Sequence, residues 1–442
     1  MTGMKRLARL VKELEDQLVR CMRCGMCQAV CPLFSETRLE ADVARGKLAL
    51  LGGLIGEIFQ NPEGVYERLN RCLLCGSCAA NCPSGVDVLD IFMKARTILT
   101  DYMGLSGWKK VILRGILAHP KTFDRAMEWA SMFQMVFTKP ASDRLGTSCA
   151  RFVSPLLAGR HLKPLASVPF HRAVPSVNTD PGPSGIKVGF FVGCLIDKMF
   201  PSIGEAVLDV LKYHGVGVLL PEGEGCCGIP AISLGDMSTF KRLVIHNLER
   251  FEANTFDYLV TACATCTSTI KKVWPTMAHE FSDDVRQRIK KISEKAMDIN
   301  QFLVSKVGFE KGESGETDNP TLVTYHDPCH LKKSLGVAGA PRAIIRANPR
   351  YRFKEMAESD WCCGSGGSFN IEYYEISASI GRRKRDNILA SGCSVLATGC
   401  PACMIQICDM LSQAGASIEV KHPVEIYAEG LSKGPSLRPS AS

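Results

Sequence analysis

The sequence predicts a multidomain chain of α+β and α/β character, with a mainly helical N-terminal part followed by a tandem duplicated pair of α/β units. Three observations carry this reading. The chain has 442 residues, enough for about three domains, and its 46% apolar content is that of a folded globular protein. Apolar residues near the N-terminus recur at helical spacing. Beyond residue 186 one pattern of short β-branched runs and helical stretches occurs twice.

Leu7, Leu10, Val11, Leu14 and Leu18 share one face of a helix expected over residues 5 to 19, running into Cys21. Residues 20 to 95 hold two copies of one cysteine run, which sets a first domain at 1–100. Residues 101–185 read as a basic helical connector that ends in a Pro-rich linker, Pro164 to Gly185. The duplication then takes over. Ile186 to Cys194 (IKVGFFVGC) matches Thr321 to Cys329 (TLVTYHDPC), and Glu224 to Gly228 (EGCCG) matches Asp360 to Gly364 (DWCCG). Tyr258 to Cys266 (YLVTACATC) matches Val395 to Cys403 (VLATGCPAC). The offsets of 135, 136 and 137 residues are too constant for chance. The two units are set at 186–308 and 320–432, joined by Phe309 to Pro320 and followed by a tail, 433–442. Glu205 to Tyr213 and Thr239 to Phe251 are the helical stretches of the first unit. Strands that end in cysteines would gather them on one sheet edge, where α/β sheets bind ligands.

Twenty-one cysteines are the outlier of the composition. Met1-Thr-Gly-Met-Lys-Arg-Leu opens the chain without an apolar signal segment, which predicts a cytoplasmic, reducing setting where regularly spaced thiols are metal ligands. Cys21-x2-Cys24-x2-Cys27-x3-Cys31-Pro32 and Cys72-x2-Cys75-x2-Cys78-x3-Cys82-Pro83 are two complete copies of the four-thiol run of bacterial ferredoxins. In that run three thiolates wrap one [4Fe-4S] cube and the fourth ligates the other. The crossing assigns one cluster to Cys21, Cys24, Cys27 and Cys82, and the other to Cys72, Cys75, Cys78 and Cys31. Zinc would also accept four thiolates, but zinc knuckles rarely show this rhythm with a terminal Cys-Pro twice.

The duplicated half adds two groups of five thiols: Cys194, Cys226, Cys227, Cys263 and Cys266, then Cys329, Cys362, Cys363, Cys400 and Cys403. A glycine after each Cys-Cys pair frees the backbone to turn both sulfurs toward one site. One thiol of each pair could instead be a packed core residue. The arrangement Cys-x31-CysCysGly-x34-Cys-x2-Cys, repeated as Cys-x32-CysCysGly-x35-Cys-x2-Cys, resembles the CCG-domain family, typified by heterodisulfide reductase. Two ferredoxin runs followed by two CCG domains look like the iron–sulfur subunits of glycolate oxidase and D-lactate dehydrogenase complexes. The resemblance implies one or two further, non-cubane [4Fe-4S] clusters at the two five-thiol sites. Family members differ in whether each such site holds a cluster, a zinc or nothing. Cys149, Cys393 and Cys408 fit no motif and are assigned to packing. His326 and His330 flank Cys329, and either a bond to a cluster sulfur or a satisfied turn suits them.

No Walker motif is present. Clusters cannot take a hydride equivalent in one step, whereas an organic cofactor can. The resemblance therefore implies an FAD flavoprotein partner that oxidises glycolate or D-lactate. This chain would relay single electrons to quinone or another acceptor, as the electron-transfer subunit of an oxidoreductase that oxidises no substrate alone. The alternative is a heterodisulfide-reductase-type catalytic subunit that cleaves a disulfide. A cluster-free zinc scaffold is a third reading, which predicts a colourless protein.

No apolar run reaches the ~18 residues of a membrane span; Leu48 to Phe59 comes nearest and contains Glu57. Residues 101–172 hold 11 Lys or Arg against 4 Asp or Glu, a net of +7 out of +8 for the whole chain. Trp108, Val111, Ile112 and Ile116, and Met127, Trp129, Met132 and Phe133, form apolar clusters in this segment. A peripheral seat on the inner face of an anionic membrane, an acidic partner and a solvated face all suit it. Nucleic acid does not, because the charge elsewhere is close to zero.

Overall fold

The computed structural model describes residues 3–59, 61–151, 159–252, 255–308 and 318–431. The joining segment expected at 309–320 is described only from Asp318 onward, and the expected tail, 433–442, lies outside the described residues. Among the described residues no helix is long and apolar enough to cross a membrane.

The N-terminal part is helical, and its order follows from where the apolar residues fall. The expected helix over 5–19 is interrupted: Gly3–Lys12 is helical, the chain turns at Glu13 and Leu14, and Glu15–Leu18 makes one further turn. Leu7, Val11 and Leu14 are nonetheless buried, because the turn returns Leu14 to the face that packs on Ala44–Ile55 and Val88–Met103. Val88–Met103 starts where the Asp87 carboxylate accepts the Asp90 N–H at 3.2 Å, and it buries Ile91, Phe92, Ala95 and Leu99 on one stripe. Each cysteine run enters a short helix through a left-handed glycine: Gly25 before Met26–Ala29, and Gly76 before Ser77–Ala80. These two short helices pack against each other, which brings the two runs together.

The connector departs from expectation. Helical turns over Gly107–Leu117 and the helix Pro120–Phe137 are followed by an antiparallel ribbon of β1 (Thr138–Ser142), β2 (Thr147–Ala150) and β3 (His161–Leu162). The Pro-rich stretch is not a free linker either. It holds a short helix, Phe170–Ala173, and strand β4 (Val177–Asn178), which pairs antiparallel on the edge of the next sheet. An edge is where a strand flanked by Pro175, Pro181 and Pro183 can sit, since proline cannot donate to a ladder on both sides.

The duplication is visible in the topology. The first α/β unit orders its strands β4-β6-β5-β7-β8, with β5 (Lys187–Phe191), β6 (Gly217–Leu220), β7 (Tyr258–Thr261) and β8 (Ala296–Asp298) parallel. The second orders β10-β9-β11-β12, all parallel: β9 (Thr321–Tyr325), β10 (Tyr351–Phe353), β11 (Val395–Ala397) and β12 (Glu419–Lys421). Removing the edge strand β4 leaves the same order in both. The central strands β5 and β7, and β9 and β11, end just before Cys194, Cys263, Cys329 and Cys400. The two units face each other there, with the Ala264 N–H bonded to the Gly399 carbonyl at 2.9 Å and Ser268 to Ser334 at 2.8 Å. The helical part docks on both. Arg96 and Thr100 bond the Ser233 and Leu234 carbonyls of the first unit, and Lys333 of the second reaches Ser77 at 2.7 Å.

Candidate metal centres

The first ferredoxin-type run lies at the surface. Cys21, Cys24, Cys27 and Cys82 line one cavity of about 380 Å³ with Cys78, Met22, Leu48, Val86 and Val88. Cys24 is exposed and the other three are half-buried. The Val86 N–H points at Cys82 Sγ from 3.4 Å, and burial pushes the Cys27 thiol up. Cys31, the fourth thiol of this run, sits elsewhere. Burial, with neighbouring Cys75 and Cys72, pushes it up to about 12. Cys78 is raised by burial and by Cys75, Cys72, Cys31 and Cys27. The structure thus exchanges the fourth thiols between the two runs, and Cys78 borders both groups. Lys47, which no spacing pattern marks in the sequence, is fully buried beside the second group, near Cys72 and Cys31, with its ammonium on the Asp42 carbonyl.

Both groups of five assemble at the carboxyl ends of their central strands. Gly228 and Gly364 adopt φ of +95° and +92°, where a Cβ would lie 2.7 Å from the Phe240 ring and 2.4 Å from the Ser377 carbonyl oxygen. Only glycine makes these turns at no steric cost, so both sulfurs of each pair reach the same site. In the first group Cys194 Sγ is 3.8 Å from Cys226 Sγ. Cys226 contacts Cys227, which contacts Cys266, which contacts Cys263. In the second, Cys329 contacts Cys362, and contacts run on through Cys363 and Cys403 to Cys400. Sequence spacing held no hint of the next two contacts. Cys263 meets Cys400, joining the two groups, and Cys362 meets Cys75, joining the second group to the ferredoxin-type half. Hydrogen bonds from Cys226 and Cys266 hold Cys227 well below the usual thiol range; those from Cys362 and Cys403 do the same for Cys363.

Main-chain carbonyls around the first group are satisfied: Trp274 Nε1 donates to Cys227 O at 2.9 Å, and Asn247 Nδ2 donates to Cys226 O at 2.9 Å. The half-buried Glu224 carboxylate accepts the Val192 and Gly193 N–H at 3.1 and 2.6 Å, yet desolvation pushes it up to about 8. The two histidines beside Cys329 separate. His330 Nδ1 pairs with Thr265 Oγ1 at 3.1 Å, and that hydroxyl also lies 3.4 Å from Cys400 Sγ. His326 is buried, with Nδ1 at 3.1 Å from the Ser359 carbonyl. Of the unassigned cysteines, Cys393 and Cys408 are buried and Cys149 is half-buried on β2.

The donor sets suit iron–sulfur clusters. Four thiols each in the ferredoxin-type half and five each in the others are soft ligands, and of these eighteen only Cys24 is exposed. Asp124, His171 and Asp197 also approach one another closely enough for a metal. The Lys198 ammonium already sits among them, 2.6 Å from Asp124 Oδ1 and from Asp197 Oδ2 and 3.0 Å from His171 Nδ1, so the cluster is an ion-paired network. This network borders a cleft of about 320 Å³ at Cys194 and Cys226, walled by Leu117, Pro120 and Phe123.

Comparison with known proteins agrees with this arrangement. The model of a 4Fe-4S dicluster domain matches residues 17–86, and that of the CCG cysteine-rich domain matches 188–271 and 323–408. The chain is 29% identical to the probable glycolate oxidase iron-sulfur subunit of Bacillus subtilis, over 95% of each. It is 28% identical to a subunit of the CoM/CoB fumarate reductase of Methanothermobacter marburgensis, over 92% of this chain and 71% of that one. It is 32% identical to a lactate utilization protein of an Exiguobacterium species, over 55% of this chain and 98% of that one.

Proposed function

The chain belongs to the family of oxidoreductase iron–sulfur subunits that join a 4Fe-4S dicluster domain to two CCG domains, and from that premise we propose that it relays electrons from an FAD flavoprotein partner to a quinone. The partner would oxidise a 2-hydroxy acid, glycolate or D-lactate. Cys21, Cys24, Cys27 and Cys82 would hold one [4Fe-4S] cluster, and Cys72, Cys75, Cys78 and Cys31 a second. The two five-thiol groups would hold one or two further, non-cubane clusters. Such clusters take up and give out one electron at a time, the counterpart a two-electron flavin requires.

The observation that carries the proposal is the unbroken succession of thiols. It starts at exposed Cys24, passes Cys27 and Cys78, and crosses from Cys75 to Cys362 and from Cys400 to Cys263 before ending at Cys194. The protein's part is to bury these sites, keep water from them and fix their neighbours. A quinone as acceptor is supported by the cleft at Cys194. Its ionised lining is Asp124 and Asp197 against the single Lys198, which disfavours an anionic ligand, while Leu117, Pro120 and Phe123 wall it with apolar surface. That charge balance also counts against an anionic disulfide. A peripheral membrane seat is supported by the outer face of Pro120–Phe137, where Trp129, Met132, Phe133 and Val136 are exposed beside Lys121 and Arg125.

The test uses the complex. With Cys75→Ser, substrate should still reduce the partner flavin while acceptor reduction is lost. Loss of both activities together, or failure ever to recover a flavoprotein with the chain, would refute the relay.

A further inference from the structure

The duplication sets the two CCG halves side by side, and they differ at one position next to their thiols. In the matched segments Phe191 of the first half corresponds to His326 of the second. Phe191 is a core residue stacked on Phe251. His326 is 1% exposed, and its Nε2 has no hydrogen-bond partner. An unpaired buried polar atom gives up its hydration without a replacement, so it requires a reason. Its surroundings supply one: a ring nitrogen of His326, Cys363 Sγ and Cys403 Sγ all lie within 4.8 Å of one another.

The tautomer follows from the other ring nitrogen. Nδ1 lies 3.1 Å from the Ser359 carbonyl oxygen, which can only accept, so Nδ1 carries the proton. The main chain of Ser359 is itself fixed, since the Asp327 N–H bonds the same carbonyl at 3.0 Å and Lys384 Nζ reaches it at 3.2 Å. A neutral imidazole in this setting presents a lone pair at Nε2, toward the two sulfurs. A backbone carbonyl holding Nδ1–H while Nε2 faces a metal position is the usual outer-shell arrangement of a ligating histidine.

We propose that His326 is a metal ligand of the second CCG site, binding iron through Nε2 beside Cys363 and Cys403, so that this site is a mixed nitrogen–sulfur centre while the first is all-thiolate. The inference rests on the reading of the CCG halves as cluster sites. With Nε2 on iron one of the five thiols is left off the metal, and a neutral nitrogen in place of that thiolate raises the net charge of the centre by one, so its midpoint potential should lie above that of the first-half site.

The test is pulsed electron–nuclear double resonance on the anaerobically purified, iron-loaded chain grown with ¹⁴N- or ¹⁵N-histidine. One paramagnetic centre should show a strong nitrogen coupling that scales with the isotope. That coupling should vanish in His326→Phe, which installs the residue of the first half, while the ferredoxin-type signals persist as a check on folding. Iron in the second half without any histidine coupling would overturn the assignment and leave the relay standing. An iron content confined to the ferredoxin-type half would instead overturn the cluster reading on which it rests. Should His326→Phe not fold, the isotope-labelled native chain decides alone.

Discussion

Arg96 is the residue whose loss should best separate packing from ligation. It sits on Val88–Met103, 2% exposed, and its guanidinium is spent entirely on main-chain carbonyls. Nη2 donates to Leu69 O at 2.6 Å, Cys72 O at 2.9 Å and Asn70 O at 3.3 Å; Nε donates to Leu69 O at 3.1 Å; Nη1 donates to Ser233 O at 2.6 Å. It therefore ties the lead-in to the second cysteine run both to its own helix and to the first CCG half. In Arg96→Met the apolar stem is kept and the donors are removed. The Asn70 carbonyl retains the Cys72 N–H at 2.8 Å, so three buried carbonyls lose a charged donor. At about 1–2 kcal/mol each this gives a loss of about 4 kcal/mol, in line with the one-sided removal of a buried charge. The loss is local, and hydrogen exchange reads it directly. Amides over 69–75 should exchange roughly 10²- to 10³-fold faster in the iron-loaded variant, and a chelator should strip the ferredoxin-type half faster. Arg96→Lys should fall between, since an ammonium cannot reach the same set of carbonyls. Exchange within about threefold of the native chain would refute the reasoning.

Gly364→Ala should empty the second CCG site selectively, because its Cβ would meet the Ser377 carbonyl at 2.4 Å in a left-handed turn. Metal analysis should show a loss of roughly four iron atoms with the ferredoxin-type signals unchanged; full iron retention would contradict it. Asp298 gives a pH dependence. It is fully buried, and burial pushes its carboxyl up to about 6, although Asn300 and Gln301 N–H groups bond it. A carboxyl with a raised folded pKa contributes fully below about pH 4, and that contribution is lost as the pH rises through about 6, a difference of about 3 kcal/mol. Asp298→Asn should therefore melt higher than the native chain near pH 7.5 and lose less stability between pH 5 and 7; an unchanged profile argues against it. Replacing Trp129 and Phe133 with Ser should weaken co-sedimentation with anionic phospholipid vesicles roughly 10- to 100-fold, as expected for removing two partly inserted aromatics, and binding of the native chain should fall with salt. Equal binding by both proteins would count against a membrane seat.

What the sequence disclosed and what it withheld divide along physical lines. Three thiols of each cube come from closely spaced positions on one turn, so the two four-thiol runs could be read from spacing, as could the Cys-Cys-Gly pairs and the strand-end cysteines. The α/β order of the duplicated half followed in the same way, since β5 and β9, or β7 and β11, carry matched patterns into matched places. The ribbon of β1, β2 and β3 left no such trace, because its strands are short, partly exposed and broken by Pro140 and a register shift. Edge strand β4 lay hidden among prolines. Buried cations were illegible for a different reason: Arg96, Lys198 and Lys384 are held by carbonyls or carboxylates from distant segments, and Lys47 by a carbonyl just outside its own helix. The Cys263–Cys400 and Cys75–Cys362 contacts depend on how three folded units dock, and no local pattern encodes docking. His326 was visible as a histidine beside a cysteine, but only the fold shows which of its nitrogens is engaged.

The account stands on sulfur holding iron in both halves of the chain. Iron, zinc and acid-labile sulfide should be counted per polypeptide on the anaerobically purified protein. The expected result is roughly 12 to 16 iron atoms with matching sulfide and no stoichiometric zinc, that is, two four-iron clusters in the ferredoxin-type half and one or two beyond it. About 8 iron atoms or fewer, or zinc in place of iron among Cys21 to Cys82, would contradict it.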